Sequence, residues 1–248
     1  MEKITSRRNS LCLHVKKLGS DREYRYANSE FLCDGIKLLK EALTAGTIIK
    51  TVLTANLLNI NLSDRIKIVY TTQDIINSIS PLKNPQDVLF VCEMPDCEMQ
   101  EYETGTYILL DSIQDPGNLG TIIRSADAFG MSGVMLTGAC ADPYNPKTIR
   151  ASMGSIFRQK IMRTDISELS KSGLSITGAA LSENCVNISD INLKNKIIAV
   201  GSEGSGLSDE VLGLCKEIIT IPISDSCESL NAAIAASIIM WEVKRCRH

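Results

Sequence analysis

Apolar positions along this chain fall into two alternating kinds of block. The first kind is short, continuous and rich in Ile, Leu and Val: IIKTVLT (48–54), RIKIVYT (65–71) and DVLFVCE (87–93), then TYILL (106–110), GVMLT (133–137), LSITGAA (174–180), KIIAVG (196–201) and EIITIPI (217–223). Runs of this length bounded by turn formers read as strands. Blocks of the second kind carry apolar residues at three- and four-residue spacing. In Phe31–Gly46, Ile36, Leu38, Leu39, Ala42 and Leu43 share one side and Gly46 closes the segment, which predicts a helix over its whole length. Residues 74–80, which stop at Pro81, and residues 119–129, 147–157, 208–215 and 228–245 read as helices too. Alternation of this kind predicts an α/β fold with parallel strands covered on both faces. It divides into a smaller domain at 1–94 and a larger one at 106–248, joined by an acidic linker at 95–105.

Composition narrows the picture. Of 248 residues, 44% are hydrophobic but only 4% aromatic, so the core must be aliphatic. The net charge of −3 excludes a general polycation. Its distribution is uneven: residues 1–25 carry seven Lys/Arg against three acids, and residues 84–115 carry eight acids and no Lys or Arg. A basic N-terminal arm fits either contact with nucleic acid or a solvated, frayed leader. Nine cysteines without a C-x-x-C pair, and histidine only at His14 and His248, argue against a zinc site. They fit free thiols in a reducing cytoplasm. No apolar run approaches the ~20 residues that span a bilayer, so no membrane partner is expected.

Three loops that follow strand-like runs hold the unusual chemistry, where ligands of parallel sheets bind. The first is DSIQDPGNLGTIIRSADAFG (111–130). Pro116-Gly117-Asn118 is turn chemistry, and a helix is expected from Leu119 with Ile122, Ile123, Ala126 and Phe129 on its apolar side. Arg124 would then lie on the polar side within about two turns of the start, where a cation opposes the helix dipole. Its partner is either an external phosphate, carboxylate or reacting oxygen, or an acid of the same chain. The second loop, GSEGSGLSDE (201–210), spaces Gly201, Gly204 and Gly206 as G-x-x-G-x-G, which is not the dinucleotide fingerprint and comes too late in its domain for one. Glycines there allow close approach to a flat ligand. In the third, IPISDSCESLNAA (221–233), Ser226–Ser229 offer caps for the last helix and Leu230 and Asn231 fall on its first turn. Ser229 and Asn231 could serve as caps or as site residues. A fourth stretch, NPKTIRASMGSIFR (145–158), sets Lys147, Arg150 and Arg158 around small residues, as a nucleic-acid backbone or plain solvent would suit.

DPGNLGTIIR (115–124), GSEGSGL (201–207) and IPISDSCESLN (221–231) occur in the order of the three signatures of the SpoU (TrmH-like) RNA ribose 2′-O-methyltransferases, and the chain resembles that family of the SPOUT superfamily. EFLCDGIKLLKEAL (30–43) resembles the family's N-terminal RNA-binding domain, related to L30e/L7Ae, with Asp34 where Glu is usual. The opening MEKITSRRNSLCLHVKKL resembles the branch acting on rRNA. The resemblance implies a SPOUT-type parallel sheet with a C-terminal trefoil knot, a homodimer through the knot region, S-adenosylmethionine as donor without a metal, and RNA, most readily rRNA, as acceptor. By the same resemblance Thr137, Gly138, Gly201, Ile221 and Leu230 hold the donor. Arg124 is the catalytic arginine, completed in the neighbouring protomer's site, and Asn118, Glu203, Ser229 and Asn231 position it or the ribose. Methylation of tRNA, and an RNA-binding member without activity, stay open as alternatives. A nicotinamide oxidoreductase is disfavoured by the glycine order.

Overall fold

The computed structural model describes residues 2–95, 103–180, 185–224 and 226–245. The expected linker at 95–105 falls for the most part outside them. In chain order the elements are β1 (Glu2–Lys3), α1 (Ser10–Ser20), α2 (Arg22–Asn28), β2 (Glu30–Asp34), α3 (Ile36–Thr44), β3 (Ile49–Thr54), β4 (Lys67–Tyr70), α4 (Gln73–Ile79) and β5 (Val88–Glu93). They continue with β6 (Tyr107–Asp111), α5 (Pro116–Phe129), β7 (Gly133–Thr137), α6 (Pro146–Ser152), β8 (Ile161–Arg163), α7 (Ile166–Lys171), β9 (Ser175–Ala179), β10 (Val186–Asn187), β11 (Lys196–Gly201), α8 (Asp209–Leu214), β12 (Cys215–Thr220) and α9 (Ala232–Arg245). Two compact units result: Met1–Asp96 with Tyr144–Phe157, and Cys97–Pro143 with Arg158–His248.

Among the described residues, the first unit has a sheet ordered β1-β4-β3-β5-β2, in which β5 runs antiparallel to β3 and β2 while the other pairs are parallel. One core joins Cys12, Val15 and Leu18 of α1 and Ile75, Ile76 and Ile79 of α4 to Leu32, Leu53, Leu89 and Val91 of the sheet. Burying such aliphatic side chains stabilises by roughly 1.5–3 kcal/mol each. Two expectations are corrected here. Phe31–Asp34 is strand, not helix, because its residues pair with β5 and are buried on both sides. The break falls at Gly35, whose φ of +106° only glycine adopts without strain. Leu32 turns to the core just described; Phe31 stacks on Tyr144 at 4.8 Å between ring centres. The basic N-terminus is likewise no frayed leader from residue 10 on. Asn9 caps α1, Asp21 caps α2, and Arg25 is buried with its guanidinium donating to Leu18 O at 2.7 Å.

The segment Tyr144–Phe157, which sequence alone puts in the larger domain, is part of this first unit, with α6 against β2. Lys147 and Arg150 are exposed on α6. Arg158 belongs to the second unit and is committed there: its Nε and Nη2 donate to one oxygen of Asp127 at 3.0 and 2.9 Å.

The second unit has an all-parallel sheet ordered β10-β12-β9-β11-β6-β7-β8 among the described residues. Leu109, Met135, Ile176, Ile197 and Ala199 alternate toward one face, where Leu169 of α7 and Val211 of α8 cover them. On the other face α5 and α9 pack together, Ser125 and Ser237 sharing a hydroxyl hydrogen bond at 2.8 Å. From β6 the chain moves outward to β7 and β8; it then returns to the other side, through β9, β11 and β12. The reversal lies between β6 and β11, where Asp111 is paired with Gly201. Open parallel sheets bind ligands at this point. β8, α7 and β10 were not legible in the sequence; each is six residues or shorter.

Candidate functional site

Three loops leave the sheet around that reversal. After β6, Asp115 caps α5 by accepting from Asn118 N at 2.8 Å, with Pro116 in the first turn, where its missing N–H costs nothing. The helix therefore starts three residues before the expected Leu119. Arg124 becomes its ninth residue, too far in for the dipole argument. The loop after β11 is closed on itself: Ser202 and Gly206 exchange two backbone hydrogen bonds at 3.1 and 3.0 Å, and the hydroxyls of Ser202 and Ser205 meet at 2.8 Å. A Cβ on Gly201 would overlap the Gly206 backbone, so only glycine fits. The loop after β12 ends at Asn231. Its Oδ1 accepts from Ala233 N (3.0 Å) and Ile234 N (3.2 Å), making it the cap of α9. The expected caps Ser226–Ser229 lie before that turn.

One clamp ties these loops together. Asn118 Nδ2 donates to Glu203 Oε1 at 2.9 Å, Ala232 N donates to the same oxygen at 3.2 Å, and Asn231 Nδ2 donates to it as well and to Asn118 Oδ1 at 3.1 Å. These residues come from places 28 to 113 apart in sequence. Three of the residues singled out from sequence, Asn118, Glu203 and Asn231, thus act as one unit.

Two clefts meet at the clamp. One, of about 400 Å³, is walled by Ala179, Ala180, Gly201, Leu207, Ile221, Ser229 and Leu230; its charged lining residues are Glu203 and Glu228. The other, of about 410 Å³, is lined mainly by polar residues, Ser112, Gln114, Asp115, Asn118 and those of the glycine loop, with Ile113 and Ala232 among them. Ser202, Glu203, Ser205 and Ala232 border both. An apolar slot beside a polar trough, separated by one carboxylate, can hold a flat heterocycle on one side and a hydroxylated group on the other. Cys215 and Cys140 are no nucleophiles here. Burial pushes both thiols up, Cys215 to about 11, so both stay protonated near neutrality.

The remaining expected residues are placed differently. Thr137 and Gly138 line a third cleft of about 290 Å³, with Arg163, Thr164, Asp165 and Glu168. They border a different cleft from Gly201 and Ile221, with β6 lying between β7 and β11. Arg124 is exposed on α5 and borders neither of the joined clefts. Among the described residues none forms an ion pair or hydrogen bond with it, so none of their acids is its partner. Ser229 lines the apolar cleft and stands apart from the clamp's hydrogen bonds. Sequence reasoning passed over Ala179 and Ala180, although Gly178-Ala179-Ala180 at a strand end was a visible run of small residues; a Cβ on Gly178 would press on Cys215 and Leu207 at 2.9 Å. It also passed over Ser112 and Gln114.

Residues 105–241 match the model of the SpoU rRNA Methylase family, and residues 13–89 match the MRM3-like substrate binding domain. Over 98% of its length the chain is 32% identical to the whole 23S rRNA (guanosine(2553)-2′-O)-methyltransferase RlmP of Bacillus subtilis (strain 168). It is 30% identical to the 23S rRNA (uridine(2479)-2′-O)-methyltransferase of Streptomyces viridochromogenes, over 99% of this chain and 92% of that one. The crystal structure of AdoMet-bound rRNA methyltransferase from Sinorhizobium meliloti superposes with a TM-score of 0.88, at 30% identity, over 99% of this chain and 98% of the other. With three loops converging at the strand reversal and a family model spanning more than half of its residues, the chain belongs to the SpoU rRNA methylase family.

Proposed function

We propose that this chain transfers a methyl group from S-adenosylmethionine to a ribose 2′-hydroxyl of ribosomal RNA. The observation that carries the reading is the Asn118–Glu203–Asn231 clamp standing between an apolar cleft and a polar one. The apolar cleft fits the donor. It has the volume for one, its backbone is bare at Gly201, and no Lys or Arg lines it against a cationic sulfonium. When bound, the donor supplies an electrophilic methyl group.

The chain's own residues do the rest. Gly201, Ile221 and Leu230 offer backbone to the donor, Leu207 supplies an apolar wall, and Ser229 closes the rim. Ser112, Gln114 and Asn118 face the ribose side. Oε1 of Glu203 is occupied by three N–H donors, which leaves Oε2 as the atom to receive the hydroxyl proton. Arg124 offers a planar guanidinium with N–H donors and no acceptor atom. Its role is to hold the neighbouring phosphate and stabilise charge developing on the 2′-oxygen. It acts in the site of a second copy, because in its own it borders neither of the two joined clefts.

The same reading includes a two-fold dimer through α5 and α9 and a trefoil knot within the C-terminal loops. It makes residues 1–94 an L30e/L7Ae-like RNA-binding domain, 95–105 a linker and 106–248 the catalytic domain, and it puts the protein in the cytoplasm. What supports the dimer is that Ile234, Ile238 and Trp241 are exposed on α9, with Trp241 edge-on to Phe129 of α5. No helix among the described residues is long and apolar enough to cross a membrane. The deciding experiment maps 2′-O-methyl groups in total RNA from cells with and without the protein. One rRNA nucleotide is expected to lose its methyl group, and a fragment with a 2′-deoxy residue there is expected to be inert. An unchanged methylation map would end the proposal.

A further inference from the structure

Strand β6 ends on Asp111, a carboxylate that is 3% exposed. Among the described residues no Lys or Arg forms an ion pair with it. A buried charge needs hydrogen bonds in place of the water it has lost. Asp111 has two, and both reach into loops of the site. Oδ2 accepts from Ser208 N at 2.7 Å, across 97 residues of chain. Oδ1 accepts from the Ser112 hydroxyl at 3.1 Å. Ser208 is the cap of α8 and the first residue after the glycine loop, whose Leu207 is a wall of the apolar cleft.

Ser112 is held in turn. Its N–H donates to Thr137 O at 3.1 Å, and its Oγ accepts from Ala139 N at 3.3 Å. Its φ of +60° is one that few residues other than glycine adopt. Gly138 lies against this pair so closely that a Cβ would overlap Ser112 Oγ and come within 3.2 Å of Asp111 Oδ1. Neither Asp111 nor Gly138 borders the apolar cleft.

We propose that Asp111, braced by Ser112 and Gly138, is a positioning residue for the donor loop. It fixes the exit of residues 201–207 at Ser208, as the Glu203 clamp fixes their tip, so that the cleft wall is formed before the donor arrives. The inference rests on the reading of that cleft as the S-adenosylmethionine site. Gly138 then matters to the donor through its φ of +62° and the space it leaves for Ser112, with no contact of its own.

Calorimetric titration of the full chain with S-adenosylmethionine, with the melting temperature recorded for each variant, tests this. Asp111→Ala leaves Ser208 N–H without an acceptor, and donor affinity should fall about tenfold. Asp111→Asn can still accept from Ser208 and donate to Ser112, and should stay within about threefold of wild type. Gly138→Ala should weaken binding several-fold, and adding Ser112→Gly, which removes the overlapping oxygen, should restore part of the loss. In steady-state assays of Asp111→Ala and Gly138→Ala the donor KM rises while kcat at saturating donor and the RNA KM hold. A folded Asp111→Ala protein that binds donor like wild type overturns the inference, as does a Gly138→Ala protein that does so. Should Asp111→Ala not fold, the Asn variant and the Gly138/Ser112 pair decide. If the wild-type chain itself binds no donor, the parent reading falls and this one falls with it.

Discussion

The carboxyl edge of the second unit's sheet holds clefts at two places, and both have a glycine at a strand end. At the ends of β9, β11 and β12 the walls are apolar, the charged lining residues are two glutamates, and the loops are tied by hydrogen bonds between residues up to 113 apart in sequence. At the ends of β7 and β8 the lining is charged, with Arg163, Asp165 and Glu168. Its hydrogen bonds are mostly local: Asp165 and Glu168 form a capping box at the start of α7. A glycine at a strand end therefore does not tell the two clefts apart. Loops from opposite sides of the strand reversal, joined through one carboxylate, do.

Substitutions should separate the two clefts sharply. The largest effect is expected at Arg124: Arg124→Ala should lower kcat on RNA by roughly 10²–10³, with donor affinity by calorimetry unchanged. Near wild-type turnover would detach the guanidinium from the chemistry. Gly201→Ala comes next. Its methyl group must displace the Gly206 backbone, and donor affinity should fall more than about tenfold; binding that survives intact would mean the donor sits elsewhere.

At Asn231 the two duties of one side chain can be split. Asn231→Ala removes both cap and clamp, so the melting temperature should drop by about 2–4 °C along with kcat. Asn231→Ser keeps a capping oxygen but cannot reach Glu203, so it should recover the melting temperature and not the rate. Equal recovery of both would reduce Asn231 to a cap. The smallest effect belongs to the second cleft. Arg163→Ala combined with Glu168→Ala should leave donor affinity within about twofold, since surface changes away from a site rarely exceed ±0.5 kcal/mol. A large loss there would erase the distinction between the clefts.

What could be read in advance follows the range of the interactions involved. Strands β6, β7, β9 and β11 announce themselves as apolar runs, because a sheet buried on both faces needs little else. Asn118, Glu203 and Asn231 stand out through the turn chemistry around them, and the structure bonds them to one another. Phe31–Asp34 misled because its apolar spacing continues into α3, and only pairing with β5 makes it a strand. Thr137 and Gly138 border a cleft of their own because order along the chain does not give order across the sheet. Asp111 went unread for a related reason: its partner Ser208 is 97 residues away, and an aspartate at a strand end usually does no more than begin a turn.

The stretch Tyr144–Phe157 sits in the first unit while the residues on both sides of it belong to the second. The polypeptide therefore crosses between the units three times, near residues 96, 143 and 157. No single scission divides the protein into its parts. A fragment cut at the acidic stretch strips Phe31 of the Tyr144 ring, and its complement carries Ile149 and Tyr144, both buried in the intact chain, without their apolar surroundings. A chimaera that borrows the substrate-binding part of a relative must transplant two pieces together, and any lineage that traded these parts had to do the same.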